Sequence, residues 1–168
     1  MESERLTSSF QSSPAQQEGT YKLLPFILKP ENIARFESGQ VFIFDRRKYP
    51  FEQSFVSCAS ISDVAMAIKG MVTQGSGPWL AAVNALRLLT YRNRDALRAS
   101  KKRRATLLNE LGQARAALVS TRPTNTAMRQ RLDEIIIIAK DALAEGDDVD
   151  SAIASGIAVM LQDLFDDY

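Results

Sequence analysis

Apolar positions along the chain change their spacing once. From residue 21 to about 56 they fall in short, strand-like bursts: YKLLPFILKP, a turn region ENIARFESGQ, then VFIFDRRKYPF, where residues 41–44 form a compact run of strand formers. Beyond that point the spacing is helical. ISDVAMAIKGMV puts Ile61, Val64, Ala65, Ile68 and either Met71 or Val72 on one face, with Ser60 or Ser62 available as N-cap and Gly70 near the end. Pro78 suits the first turn of a second helix through WLAAVNALRLLTY, and a basic helix is predicted over about 94–119. STRPTNT breaks the pattern and starts a helix through MRQRLDEIIIIAKDALAEG, which Gly146 and the acids after it end. In the last segment Ile153, Ile157, Met160, Leu161, Leu164 and Phe165 recur at helical spacing, so it is predicted to be amphipathic.

Two features interrupt this regular text. MVTQGSGPWL sets two glycines, a serine and a proline between two helical patterns, as a phosphate-holding loop or a plain interhelical joint would. Charge is also segregated. Arg87, Arg92, Arg94, Arg98, Lys101, Lys102, Arg103 and Arg104 face one acid, Asp95, while Asp147, Asp148, Asp150, Asp163, Asp166 and Asp167 cluster near the C-terminus. A basic block of this kind can hold a phosphate-rich partner, but it lacks interleaved aromatics, which favours a solvated helix face and makes nucleic acid an unfavoured partner. The acids can complement it within or between chains, or serve as helix-start residues.

Composition narrows the chemistry. At 168 residues the chain fits one domain without staples, and a formal charge of +1 exerts no global pull on nucleic acid or acidic membrane. Histidine is absent, so His-bearing triads and zinc sites are impossible, and neither a metal nor a cofactor is expected. Cys58, the single cysteine, has no internal disulfide partner, and no run approaches a membrane helix; a reducing, cytoplasmic setting follows as the expectation. Residues 1–20 lack the apolar core of a secretory signal and are rich in Ser and Gln; they are expected to be a flexible tail, leaving 21–168 as one domain.

FDRRKYPFEQSFVSCASISDVAMAIKGMV, the Gly-rich loop and alanine-rich helix after it, and the later TRPTNT together resemble the N-terminal half of methylthioribose-1-phosphate isomerases. That superfamily includes ribose-1,5-bisphosphate isomerases and the regulatory subunits of translation initiation factor 2B. Its pattern runs as a strand ending in Asp-Gln-Arg-x-Leu-Pro, then a helix ending in Met-x-Val-Arg-Gly-Ala-Pro-Ala-Ile-Gly, and later Arg-Pro-Thr-Ala-Val-Asn. Asp45, Arg47, Pro50, Cys58, Ala67, Ile68, Met71, Val72 and Gly75 match it in order, as do Arg122, Pro123 and Thr124. The resemblance implies an α+β fold, mostly helical, with a small N-terminal sheet packed on a bundle of about five helices, and with the family's C-terminal doubly wound domain absent. It also implies a phosphate loop at Gln74, Gly75 and Ser76, with Arg122 as a second phosphate contact. Where the family has arginine, this chain has Gln74, which removes a charge-assisted hydrogen bond about twice as strong as a neutral one.

The family's catalytic cysteine and aspartate lie in the C-terminal domain, and Cys58 matches a position that is not the nucleophile, so no catalytic residue is carried over. The leading expectation is a non-catalytic interaction or regulatory protein with residual phosphosugar or anion binding at Gln74, Gly75, Ser76 and Arg122. The apolar stripe of the last helix suggests pairing as a homo-oligomer or with a separate catalytic-domain chain. The rival is the N-terminal half of a split aldose-ketose isomerase. A third reading is RNA or ribosome association through the basic block.

Overall fold

The structure is a computed structural model that describes residues 23–166, so the expectations for residues 1–20 and for Asp167 lie outside the described residues. The first described segment departs from its strand-like reading. Pro25 and Pro30 each lack an N–H, and the chain folds into two short 3-10 turns, Phe26–Leu28 and Pro30–Asn32, closed by Leu28 N–H to Pro25 O at 2.9 Å and Ile33 N–H to Pro30 O at 2.9 Å. The sheet begins later, inside the expected turn region. Strand β1 is Ala34–Glu37, β2 Gln40–Phe44 and β3 Phe55–Cys58, an antiparallel meander in the order β1-β2-β3 with Glu37 opposite Gln40 and Val41 opposite Cys58. Ser38 and Gly39 form the two-residue turn with φ of 50° and 78°, the pair of positive values that matches strand twist. Alternation then works as expected in β2: Val41 and Ile43 are buried, and half-buried Phe42 lies on the other face under the Arg35 guanidinium.

Helix α1, Ile61–Lys69, starts with a reciprocal cap. Ser60 Oγ accepts from Asp63 N–H at 3.1 Å, and Asp63 Oδ2 accepts from Ala59 N–H at 3.0 Å. Helix α2, Gly77–Arg92, is apolar nearly all round and runs through the middle of the core, with residues 77–86 all buried. The predicted basic helix is split: α3 covers Arg94–Ala99 and α4 Lys101–Thr121, because Ser100 leaves helical geometry at φ −138° and its hydroxyl caps the next turn through Arg103 N–H. Asn125 caps α5, Thr126–Glu145, which ends at Gly146, and α6 is Val149–Asp166.

The last helix spends its apolar stripe inside the chain. Val149, Ile153, Ile157 and Met160 are buried in the common core, and Leu161 and Leu164 are half-buried against it; the Phe165 side chain lies outside the described residues. The stripe that suggested pairing is therefore consumed by the fold itself. The α+β architecture, a three-stranded sheet on a helical bundle, is as expected, with six helices among the described residues where about five were predicted. No helix among them is long and apolar enough to cross a membrane.

Candidate functional site

The Gly-rich segment is shaped from its two flanks. At the end of α1, Gly70 N–H bonds to Met66 O at 2.8 Å, and Met71 then takes a left-handed φ of 60°, uncommon for a side chain with a β-carbon. That reversal turns Val72 and Thr73 into the core and leaves Met71 about half exposed. Val72 O then accepts from Arg46 N–H at 2.9 Å, which ties the segment to the end of β2.

From Thr73 the chain runs into the N-terminus of α2. Gln74 and Gly75 are exposed, Ser76 is half-buried, and Ser76 makes no side-chain cap. Gly77 N–H is spent on Gln74 O at 3.0 Å, and Pro78 has none, whereas the N–H groups of Gln74, Gly75 and Ser76 meet no acceptor among the described residues. Three free donors at the positive end of a 16-residue helix form an anion-attracting edge. Beneath it, Thr73 is wholly buried and its Oγ1 has no hydrogen-bond partner among the described residues.

Two guanidinium groups reach this edge. Arg122, at the C-terminus of α4, donates from Nη2 to Thr73 O at 3.2 Å and lies against Met71 Sδ, so the structure brings it to the loop expected from the sequence. Arg46 was not singled out in the sequence. Its Nη1 lies 3.7 Å from the point where a β-carbon on Gly75 would stand, and its side chain has no acceptor among the described residues. The adjacent arginine has a different task. Arg47 donates to buried Asp45 from Nε at 2.8 Å, from Nη2 at 2.7 Å and from its backbone N–H at 3.1 Å, and these hydrogen bonds hold the Asp45 carboxyl below the usual range against the opposing effect of burial. The doubled arginine after Asp45 was the signal available: the resembled pattern has one, at position 47.

Cys58 offers no nucleophile. It is fully buried on β3, and burial, with a smaller push from Asp63, raises its thiol pKa to about 11. The two charge blocks meet each other. Arg98 Nη2 pairs with Asp148 at 2.8 Å, Arg87 with Asp150 at 3.6 Å, and Arg103 with Glu110 on its own helix at 2.6 Å. Arg94, Arg98 and Arg104 face Asp147, Asp148 and Asp150 across a cleft of about 320 Å³. Asp148 also starts the last helix, accepting Ser151 N–H at 2.9 Å, so both roles weighed for the acids are realised there. Asp163 instead lies 3.6 Å from Arg131 on α5.

Relatives agree with this architecture. The chain is 32% identical over 110 residues to methylthioribose-1-phosphate isomerase of Pelotomaculum thermopropionicum, a match covering 66% of this chain and 28% of that protein. It is 28% identical over 136 residues to the enzyme of the same name from Desulforudis audaxviator, covering 80% and 37%. The crystal structure of 5-methylthioribose 1-phosphate isomerase from Pyrococcus horikoshii superposes with a TM-score of 0.64 at 20% identity, over 83% of this chain and 40% of that one. No family model matches the chain. The matched region thus spans roughly a third of the relatives' length.

Proposed function

From its kinship with the N-terminal domain of methylthioribose-1-phosphate isomerases, we propose that this chain is a non-catalytic anion-binding module that acts through a second polypeptide. Its ligand class is the phosphate monoester, a phosphosugar in the first instance, held by the free N–H groups of Gln74, Gly75 and Ser76 and by Arg122. The single observation that carries this reading is the convergence of Arg122 on the loop, because the two parts lie far apart in sequence and an ordinary helix joint needs no guanidinium beside three unused donors. Cys58, a buried thiol with its pKa raised to about 11, is not the nucleophile this module would contribute to such a partner. The second polypeptide is a separate catalytic-domain chain or another copy of this one. It would cover exposed apolar side chains such as Met71, 48% exposed at the loop, and Phe51, 97% exposed between β2 and β3.

The split-isomerase reading shares the same site and is the case in which the second polypeptide is the catalytic-domain chain rather than another copy of this one. RNA association is less favoured, since Arg87, Arg98 and Arg103 are committed to carboxylates within the chain. The test is thermal unfolding with and without a panel of phosphosugars and nucleoside phosphates, since a ligand bound only by the folded state must raise the midpoint. The expected result is a rise with phosphosugars that Arg122→Ala abolishes. No rise with any compound would reduce the loop to a joint.

A further inference from the structure

We infer that Arg46 is a second guanidinium ligand of the loop site, so that the site clamps a dianionic phosphate monoester between two arginines. The inference rests on the anion-site reading above and deepens it by naming the charge of the ligand and a further residue that binds it.

Arg46 is held at the loop by its backbone, whose N–H bonds to Val72 O at 2.9 Å. Its side chain is half-buried and directed over Gly75, with Nη1 3.7 Å from where a β-carbon would stand. No carboxylate among the described residues pairs with it. The nearest acid in sequence, Asp45, has both oxygens occupied by Arg47, at 2.8 and 2.7 Å. Arg122 approaches the same loop with Nη2 on Thr73 O. Two cations and three unused backbone donors at a helix N-terminus call for more than one negative charge.

A second observation points to a bound group at this spot. Thr73 is fully buried, and its Oγ1 occupies the space that a side chain on Gly77 would fill, in the first turn of α2, without a hydrogen-bond partner. A buried hydroxyl left unpaired is costly, and a small opening of the first turn of α2 would let a phosphate oxygen, or a water it holds, reach the hydroxyl. The planar fork of arginine suits the oxygens of phosphate, and glutamine at position 74 leaves the charge to be supplied from outside the loop.

The decisive experiment is calorimetric titration of the full chain with ribose 5-phosphate and with inorganic phosphate at low salt, using wild type, Arg46→Gln and the double variant Arg46→Gln/Gln74→Arg. Wild type is expected to bind the phosphate monoester and to lose affinity as pH falls through about 6, where the ester takes up its second proton. Arg46→Gln should weaken binding about tenfold or more, the effect of one hydrogen bond to a charged group, and returning the cation from position 74 should recover most of it. A parallel measurement needs no variant to fold: phosphate should protect Arg46 from modification by phenylglyoxal, read peptide by peptide. Binding unchanged in Arg46→Gln, or protection of Arg122 without protection of Arg46, overturns the inference and leaves the loop reading standing. Wild type that binds neither compound overturns both.

Discussion

Gly77→Ala places one methyl group at the most crowded point of the site. A β-carbon there would overlap Thr73 Oγ1, and it would stand 2.9 Å from Thr73 Cβ and 3.3 Å from Cγ2. Thr73 cannot yield easily. It is wholly buried and branched at Cβ, so rotation about χ1 exchanges one clashing atom for another. Overpacking of this kind costs about 1–3 kcal/mol, whereas alanine gains at most about 1 kcal/mol over glycine as a helix former, and less at a first helical position. The clash wins. A net loss of about 1–2 kcal/mol is expected, which lowers the melting midpoint by about 2–8 °C in a domain of this size. The assay is urea and thermal unfolding of Gly77→Ala, Thr73→Ala and the double variant. Thr73→Ala removes the atoms that clash, so the double variant should be no less stable than Thr73→Ala alone, with a coupling of about 0.5–3 kcal/mol. Gly77→Ala at or above wild-type stability, or strict additivity in the cycle, would refute the packing described for the floor of the loop.

Three further outcomes follow from other parts of the molecule. The carboxyls of Asp45 and Asp148 are held below their ordinary range by Arg47 and Arg98, so the stability they contribute is fully present above the unfolded value of about 3.9 and is lost as pH falls through the folded values. Unfolding free energy should be level from neutral pH to about 5 and fall in more acid solution, with a shallower fall in Asp45→Asn; an identical slope in that variant would exclude Asp45 as a source. Ile153→Ala, on the buried stripe of α6, should cost about 2–5 kcal/mol in chemical unfolding, and a loss under about 0.5 kcal/mol would mean that the last helix is not docked on the core. Cys58 should react with a thiol reagent at pH 8 only as the chain unfolds, since it is buried and its pKa lies near 11; rapid labelling of the native protein would contradict its placement on β3.

The candidate site was half legible in the sequence. Gly75 and Arg122 fall on a known pattern, Gln74 and Ser76 stand at its loop positions with other residues, and the structure brings Arg122 to the loop. Arg46 stands beside matched Arg47, and nothing in a linear text says which of two adjacent guanidinium groups turns inward to Asp45 and which crosses to Gly75. That choice depends on where the end of β2 lies relative to the end of α1. Thr73 was missed for the same reason: its missing hydrogen bond is visible only once α2 has closed over it.

Local physics explains what the sequence determined by itself. Helix periodicity, the caps at Ser60 and Asn125, the stop at Gly146 and the alternation in β2 depend on residues within a turn or a strand of one another, so their spacing alone specifies them. Where local signals were mixed, the reading slipped: two prolines turned an apolar run into 3-10 turns, and Ser100 broke a helix that composition alone would continue. Tertiary structure decided the rest. The basic and acidic blocks meet because Arg98 and Asp148, 50 residues apart, are carried to one cleft; the apolar stripe of α6 is buried at home because α2 and α5 offer it a surface; and two arginines from distant segments reach one helix N-terminus because β2 and α4 both end beside it. Contacts between distant segments depend on how whole elements pack, and packing is a property of the assembled core that no window of the sequence contains.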